Sequence, residues 1–139
     1  VVRASAVMTD AALALEKNDR ATAVAKYRQL ADDKGMAQIY RDVAIIRGTT
    51  LEFDALKPEQ VVARLEPLAK PGNPWFGSAG ELTALAYIKQ GKKSEAGRLF
   101  AQIAADQQVP NSIRARAVQI AGTLGVDASA SMPEMPQQD

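Results

Sequence analysis

Apolar residues recur at intervals of three and four along almost the whole chain up to Leu124, the spacing that gathers them on one face of an α-helix. A first helix is predicted over about Ser5 to Lys17, closed by Asn18-Asp19. A second occupies Arg20 to Asp33, with Val24, Tyr27, Leu30 and Ala31 on one face and Gly35 just past its end as a stop signal. A third runs from Met36 to Arg47 and ends at Gly48, where Thr49-Thr50 open a loop that reaches Lys57. Pro58 suits the first position of a fourth helix, because its missing N–H would be unpaired there in any case. That helix carries Val61, Val62, Leu65 and Leu68 on its stripe. Pro67 cannot donate to the carbonyl of Ala63, so the helix kinks there or stops early. Asn73-Pro74 signals the start of a fifth helix that continues to Gln90 with Trp75 in its first turn, and Ser78 ahead of Ala79 offers a later start. A sixth helix is expected from Lys92 to Asp106 and a seventh from Ile113 to Leu124 behind Pro110. The remainder, VDASASMPEMPQQD, holds too few apolar residues to fold alone. The organisation expected is a helical domain over 1–124 and a disordered or loosely docked tail over 125–139.

The helices contain a repeat. Laying Leu15 to Asp33 on Ile88 to Asp106, a shift of 73 positions, brings Leu15 onto Ile88, Asn18 onto Gly91, Ala23 onto Ala96, Tyr27 onto Phe100 and Leu30-Ala31 onto Ile103-Ala104. The shared pattern is a turn residue, a small residue that lets two helices approach, an aromatic that plugs the gap beside it, and an aliphatic one turn on. This pattern resembles the second helix of the tetratricopeptide repeat. The resemblance implies an all-α fold, a right-handed stack of three helical hairpins plus a C-terminal capping helix. The middle hairpin departs from the pattern, since Pro67 stands where the aromatic belongs after Ala63.

The run from ARLEPLA (Ala63 to Ala69) through PGNPW to ELTALAYIKQGKKSEAGRLF resembles the tetratricopeptide-like domain of bacterial ancillary SecYEG translocon subunits, over roughly Ala11 to Leu124. That resemblance implies the periplasmic domain of a protein anchored in the inner membrane, acting as an adaptor near the export channel with translocon subunits and periplasmic chaperones as partners. It supplies no catalytic residue. Val1-Val2-Arg3 opens the chain without methionine, which reads as a segment of a longer product, and membrane attachment would come from upstream of Val1. No run of apolar residues approaches the roughly 18 that span a bilayer.

Composition narrows the chemistry. Only 5% of residues are aromatic while 47% are hydrophobic, with alanine prominent, which favours close helix packing over a β-sandwich. Seventeen basic residues against 16 acidic leave a net charge of +1, so there is no basic excess of the kind phosphate backbones select, and no nucleic-acid partner is expected. Cysteine and histidine are absent, which removes thiol nucleophiles, histidine-based pairs and nitrogen- or sulfur-ligated zinc. The reading calls for no cofactor, no metal and no enzymatic activity.

The individual motifs point the same way. Gly91-Lys92-Lys93-Ser94 looks like the end of a phosphate-binding loop, yet Ala86 stands where that loop needs glycine and Lys93 where it needs Ser or Thr. A turn with solvated lysines is the better reading. Asp32-Asp33 make a poor acid–base dyad, because adjacent helical residues point apart, and they and Glu52 with Asp54 are taken as solvated charges. Trp75 is read as a packing residue at the junction of the fourth and fifth helices, with an exposed anchor for a partner as the alternative. For partner binding, the repeat resemblance directs attention to the first helix of each pair: Ser5 and Met8, then Ile39, Asp42 and Ile46, then Glu81, Leu85 and Lys89. A client segment lying in that groove is the expected mode, and the alternative is a structural role in which the same surfaces bury against a second copy in a homo-oligomer.

Overall fold

The computed structural model describes residues 2–132. Their regular structure is helical: α1 (Val2–Glu16), α2 (Arg20–Asp32), α3 (Gln38–Glu52), α4 (Pro58–Leu65), α5 (Phe76–Lys89), α6 (Lys93–Ala105) and α7 (Asn111–Thr123), followed by a 3₁₀ turn at Ser129–Ser131. The all-α expectation holds, with no strand among the described residues. The chain divides into two compact units, Val1–Lys57 and Pro58–Asp139, where the sequence pattern had suggested one helical domain over 1–124. The third and fourth helices, expected as a middle hairpin, belong to different units.

In the first unit α2 packs against both α1 and α3. Its core is built from Ala4, Ala11 and Ala14 of α1, Ala23, Tyr27 and Leu30 of α2, and Met36 and Ala44 around the start of α3. Alanine on both faces of the α1–α2 contact lets the backbones close on each other, and Tyr27 packs in the same core with α3 drawn close beside it at Gly48. Here α3 corrects the sequence reading: it continues through Gly48, Thr49 and Thr50 to Glu52. Gly48 is buried within the helix, and a Cβ at that position would lie 3.2 Å from Cβ of Tyr27. The glycine therefore serves close approach to α2 rather than termination. The Thr50 hydroxyl donates to the Ile46 carbonyl one turn back, at 2.8 Å, so its polar group is satisfied inside the helix.

In the second unit α6 sits between α5 and α7, and α4 packs on α5. Phe76, Ala84, Ala96, Phe100, Ile103, Val109 and Ala117 form the centre of its core. Pro58 occupies the first position of α4 as expected, and the helix ends at Leu65, two residues before Pro67. The fifth helix starts at Phe76, between the two predicted starts. Asn73 sets this boundary: its side-chain Oδ1 accepts the N–H of Trp75 at 2.8 Å and its carbonyl accepts the N–H of Phe76 at 3.0 Å. Trp75 is thus the residue before the helix and is half-buried, whereas Phe76 is 1% exposed. The packing role assigned to Trp75 falls mainly to its neighbour.

Beyond α7, Val126 and Ala128 lie against the second unit's core. A Cβ on Gly97 of α6 would come within 2.8 Å of Cγ2 of Val126, so the glycine leaves a notch for that valine. Arg114 Nη2 donates to the Ser131 carbonyl at 3.1 Å. The tail assigned to 125–139 is therefore docked over its first eight residues, Gly125 to Met132; Met135 and the rest lie outside the described residues.

The repeat spans three helices in each unit. Under the shift that carries Leu15 to Ile88, α2 falls on α6 and α3 begins where α7 begins. Asn18 and Gly91 both have positive φ, 58° and 76°. Asp19 N–H donates to the Ala14 carbonyl at 2.8 Å, and Lys92 N–H to the matching Tyr87 carbonyl at 2.9 Å. Asp33 and Asp106 end the middle helices in extended backbone, and each then accepts the N–H two residues on, from Gly35 and Gln108. Arg41 Nε donates to the Ala31 carbonyl at 3.1 Å, and Arg114 Nε to the Ala104 carbonyl at 2.9 Å. In both units an arginine from the third helix thus satisfies an orphan carbonyl at the end of the second.

Candidate binding surfaces

The positions expected to contact a client have different surroundings. In the first unit Ser5 is exposed, and Met8 is half-buried against the core. Ile39 is 63% exposed at the start of α3, an aliphatic side chain left largely in water. Asp42 accepts from Gln38 Nε2 at 2.7 Å, an interaction one turn apart along α3. Ile46 is buried, which leaves little of its side chain for a partner.

In the second unit Glu81, Leu85 and Lys89 recur four apart on α5 and share one face of it. Glu81 is held by Arg116 of α7, whose Nη2 lies 3.1 Å from Oε2 and whose Nε lies 3.3 Å from the same oxygen. Leu85 is half-buried against the core, and Lys89 is exposed at the end of the helix.

Sequence reasoning missed a second feature of this unit. A cleft of about 350 Å³ opens between α4, the turn after it, α5 and α6. Val62, Ala69, Tyr87 and Leu99 give it apolar walls, and Glu66, Lys70, Glu95 and Arg98 bring two charges of each sign. Thr83 lines it from α5, with its hydroxyl turned back to the Ala79 carbonyl at 2.8 Å. Thr83 and Tyr87 are offset by two positions from Glu81 and Leu85, which puts them on the opposite side of α5. The one sequence signal for this cleft is the pair of i, i+4 and i, i+3 charge couples, Glu66 with Lys70 and Glu95 with Arg98. Such couples are common on any solvated helix surface.

The electrostatics of both units are those of capping. Hydrogen bonds from the Thr22 side chain and backbone N–H hold the Asp19 carboxyl below its usual range, and Ser129 does the same for Asp127. Both are helix- or turn-starting acids in water. Among the described residues, no group of three or more His, Cys, Asp or Glu is placed to hold a metal ion. Asp33, one of the paired carboxylates noted in the sequence, is tied to Arg3 at 3.0 Å, and Glu52 to Arg28 at 3.1 Å. No helix among the described residues is long and apolar enough to cross a membrane. Compared with protein-family models, with curated proteins and with solved structures, the chain finds no match.

Proposed function

We propose that this chain is a non-enzymatic protein-interaction scaffold of the tetratricopeptide type. It would be the periplasmic part of a membrane-anchored adaptor that brings client or chaperone segments to the protein-export channel. The observation that carries the scaffold reading is the reuse of one packing unit: two sets of three helices with the same buried alanine, aromatic and aliphatic positions, and the same arginine cap. Repeating units of this kind present surface at regular intervals, the property on which repeat scaffolds rest. The resemblance of Ala11 to Leu124 to ancillary translocon subunits is what supports the compartment and the partners. In this reading Ser5, Met8, Ile39 and Asp42 in one unit and Glu81, Leu85 and Lys89 in the other supply the client contacts, with affinity from apolar area such as Ile39.

A photo-crosslinking amino acid at Ile39 or at Lys89, in cells of a bacterium that carries the protein, tests this. Crosslinks to translocon subunits or to a periplasmic chaperone are expected from both positions. Crosslinks confined to a second copy of the chain would overturn the adaptor reading.

A further inference from the structure

The cleft between α4, α5 and α6 holds charges that the fold has not paired. Glu66, Lys70, Glu95 and Arg98 line it and are exposed, and among the described residues none of the four takes part in an ion pair or hydrogen bond. Elsewhere charges that meet across helices are tied, Arg116 to Glu81, Arg28 to Glu52 and Lys26 to Asp10. The interior of the cleft is of another kind. Thr83 is buried with its hydroxyl already satisfied, and Val62, Tyr87 and Leu99 are half-buried. An apolar trough with charges at its rim suits a ligand with an apolar body and charged ends.

The order of the helices gives that rim a direction. A three-residue turn, Gln90 to Lys92, joins α5 to α6, so the two run antiparallel. Gly80 of α5 lies against Ile103 of α6, where a Cβ on the glycine would stand 3.0 Å from Cδ1 of the isoleucine. This register brings Tyr87 level with Ala96, which puts Glu95 at the Tyr87 end of the cleft and Gln102 at the other. The α4 helix packs on α5 and leads through residues 66–75 to its start, so the chain from Val62 through Glu66 to Lys70 runs away from Tyr87 towards that far end. Glu66 and Arg98 fall between the ends and offset each other. One end is therefore acidic, at Glu95, and the other basic, at Lys70. Lys92 stands 5.9 Å from the centroid of the Tyr87 ring, so the seat for a further cation at that end is the Glu95 carboxylate and not the ring.

Charge and size together select the ligand. A simple anion meets two carboxylates in this cleft and a simple cation meets two bases, whereas a molecule with one charge of each sign at its ends is favoured at both. From Glu95 to Gln102 the helix rises about 10 Å, the span of an extended peptide of three residues at roughly 3.3–3.6 Å each. The volume of about 350 Å³ lies at the small end of the range for ligand sites. We propose that the cleft binds a short zwitterionic peptide of about three apolar residues, its ammonium end at Glu95 and its carboxylate end at Lys70. Its side chains would lie on Val62, Tyr87 and Leu99. The inference goes beyond the scaffold reading and is independent of it, since no cleft residue belongs to the client-contact set.

The test titrates the whole chain, isotope-labelled, with the tripeptide Leu-Ala-Leu in free, Nα-acetylated and C-amidated forms, and follows the backbone amide resonances of Thr83, Tyr87 and Leu99. The free peptide is expected to shift them saturably, and each blocked form to bind about threefold to fivefold more weakly, the size of an exposed ion pair. Glu95→Gln should weaken the free peptide by the same factor and leave the acetylated one unaffected. Lys70→Gln should weaken the free peptide likewise and leave the amidated one unaffected. Loss of fold cannot produce that crossed pattern, and both variants, changed at exposed positions, should keep the parent melting curve. Leu99→Ala should weaken all three forms alike. Shifts that do not saturate, blocked forms that bind as well as the free peptide, or a Glu95→Gln effect that persists with the acetylated form would overturn the proposal. So would binding confined to longer peptides blocked at both ends, which would give the cleft to an internal segment of a partner protein.

Discussion

Arg3 in the first unit and Phe76 in the second occupy the same place in the repeat, one a guanidinium standing in water and the other a ring that is 1% exposed. The helices on which they stand bury equivalent small residues in their cores, Ala4 matched by Gly77 and Ala11 by Ala84. What separates the units is a second face of these helices: Phe76, Ala79, Thr83 and Ala86 of α5 are buried, whereas the matching Arg3, Ala6, Asp10 and Leu13 of α1 are exposed, and two of those four are charged. A second contrast lies at the start of the middle helices. Asp19 caps α2, its carboxylate accepting both the N–H and the hydroxyl of Thr22, whereas Lys92 precedes α6 with no side-chain cap. The frame of a repeat is thus held by its interior positions, while its ends and outer faces vary with what lies beyond them.

That contrast can be broken most severely at Phe76. Phe76→Ala should cost about 3–5 kcal/mol, as expected for emptying a fully buried aromatic site, whereas Trp75→Ala, half-buried beside it, should cost clearly less. Denaturant melts of the two variants check the order, and a larger loss at Trp75 would show that the helix starts one residue earlier than described.

The arginine caps come next. Arg114 donates to the Ala104 and Ser131 carbonyls, while Arg41 makes only the first of these two types of bond. Removing a charged donor of this kind costs roughly 1.5–3 kcal/mol. Arg114→Ala should therefore fall at the upper end of that range and Arg41→Ala at the lower, measured by urea unfolding. Deleting residues 129–139 should bring the two variants together.

The missing cap can be supplied. Lys92→Asp places at α6 the residue that α2 already has, and should stabilise the protein by about 0.5–2 kcal/mol. A thermal melt with no upward shift would mean that Ser94 or Glu95 does not offer the amide that Thr22 offers.

The smallest effect concerns acid. Because hydrogen bonds lower the Asp19 pKa from 3.8, its contribution is present above the ordinary carboxylate range and is lost as pH falls through the depressed value. Asp19→Asn keeps the capping oxygen and removes the titration. It should flatten the acid limb of the melting temperature against pH below about pH 4 and leave the neutral region nearly unchanged.

Much of this architecture was legible in the chain. The number and approximate extent of the helices follow from the spacing of apolar residues, and the alignment of Ala23 with Ala96 and Tyr27 with Phe100 marked the repeat, because these positions need a particular size wherever two helices cross. The third helix of each unit was harder. Arg41 and Arg114 stand at the same shift, but a lone arginine match carries no visible reason until its carbonyl partner is in place. Gly48 was misread as a stop because glycine has two uses, ending a helix or admitting a neighbour, and only the presence of Tyr27 opposite it selects the second. The boundary at Phe76 was missed by a residue or two, and since one helical residue turns a side chain by about 100°, that was enough to exchange the buried aromatic for the half-exposed one.

For the candidate surfaces the division is sharper. The repeat resemblance singled out Ile39, Glu81 and Lys89 as contact positions, and the structure leaves Ile39 and Lys89 exposed and Glu81 half-buried. Tertiary structure decided the rest: that Ile46 is buried, that Arg116 holds Glu81, and that a cleft opens between α4, α5 and α6. Periodicity is a property of one helix, set by its own geometry. A cleft depends on which second and third helices arrive, and the sequence of one helix shows only the wall that helix contributes.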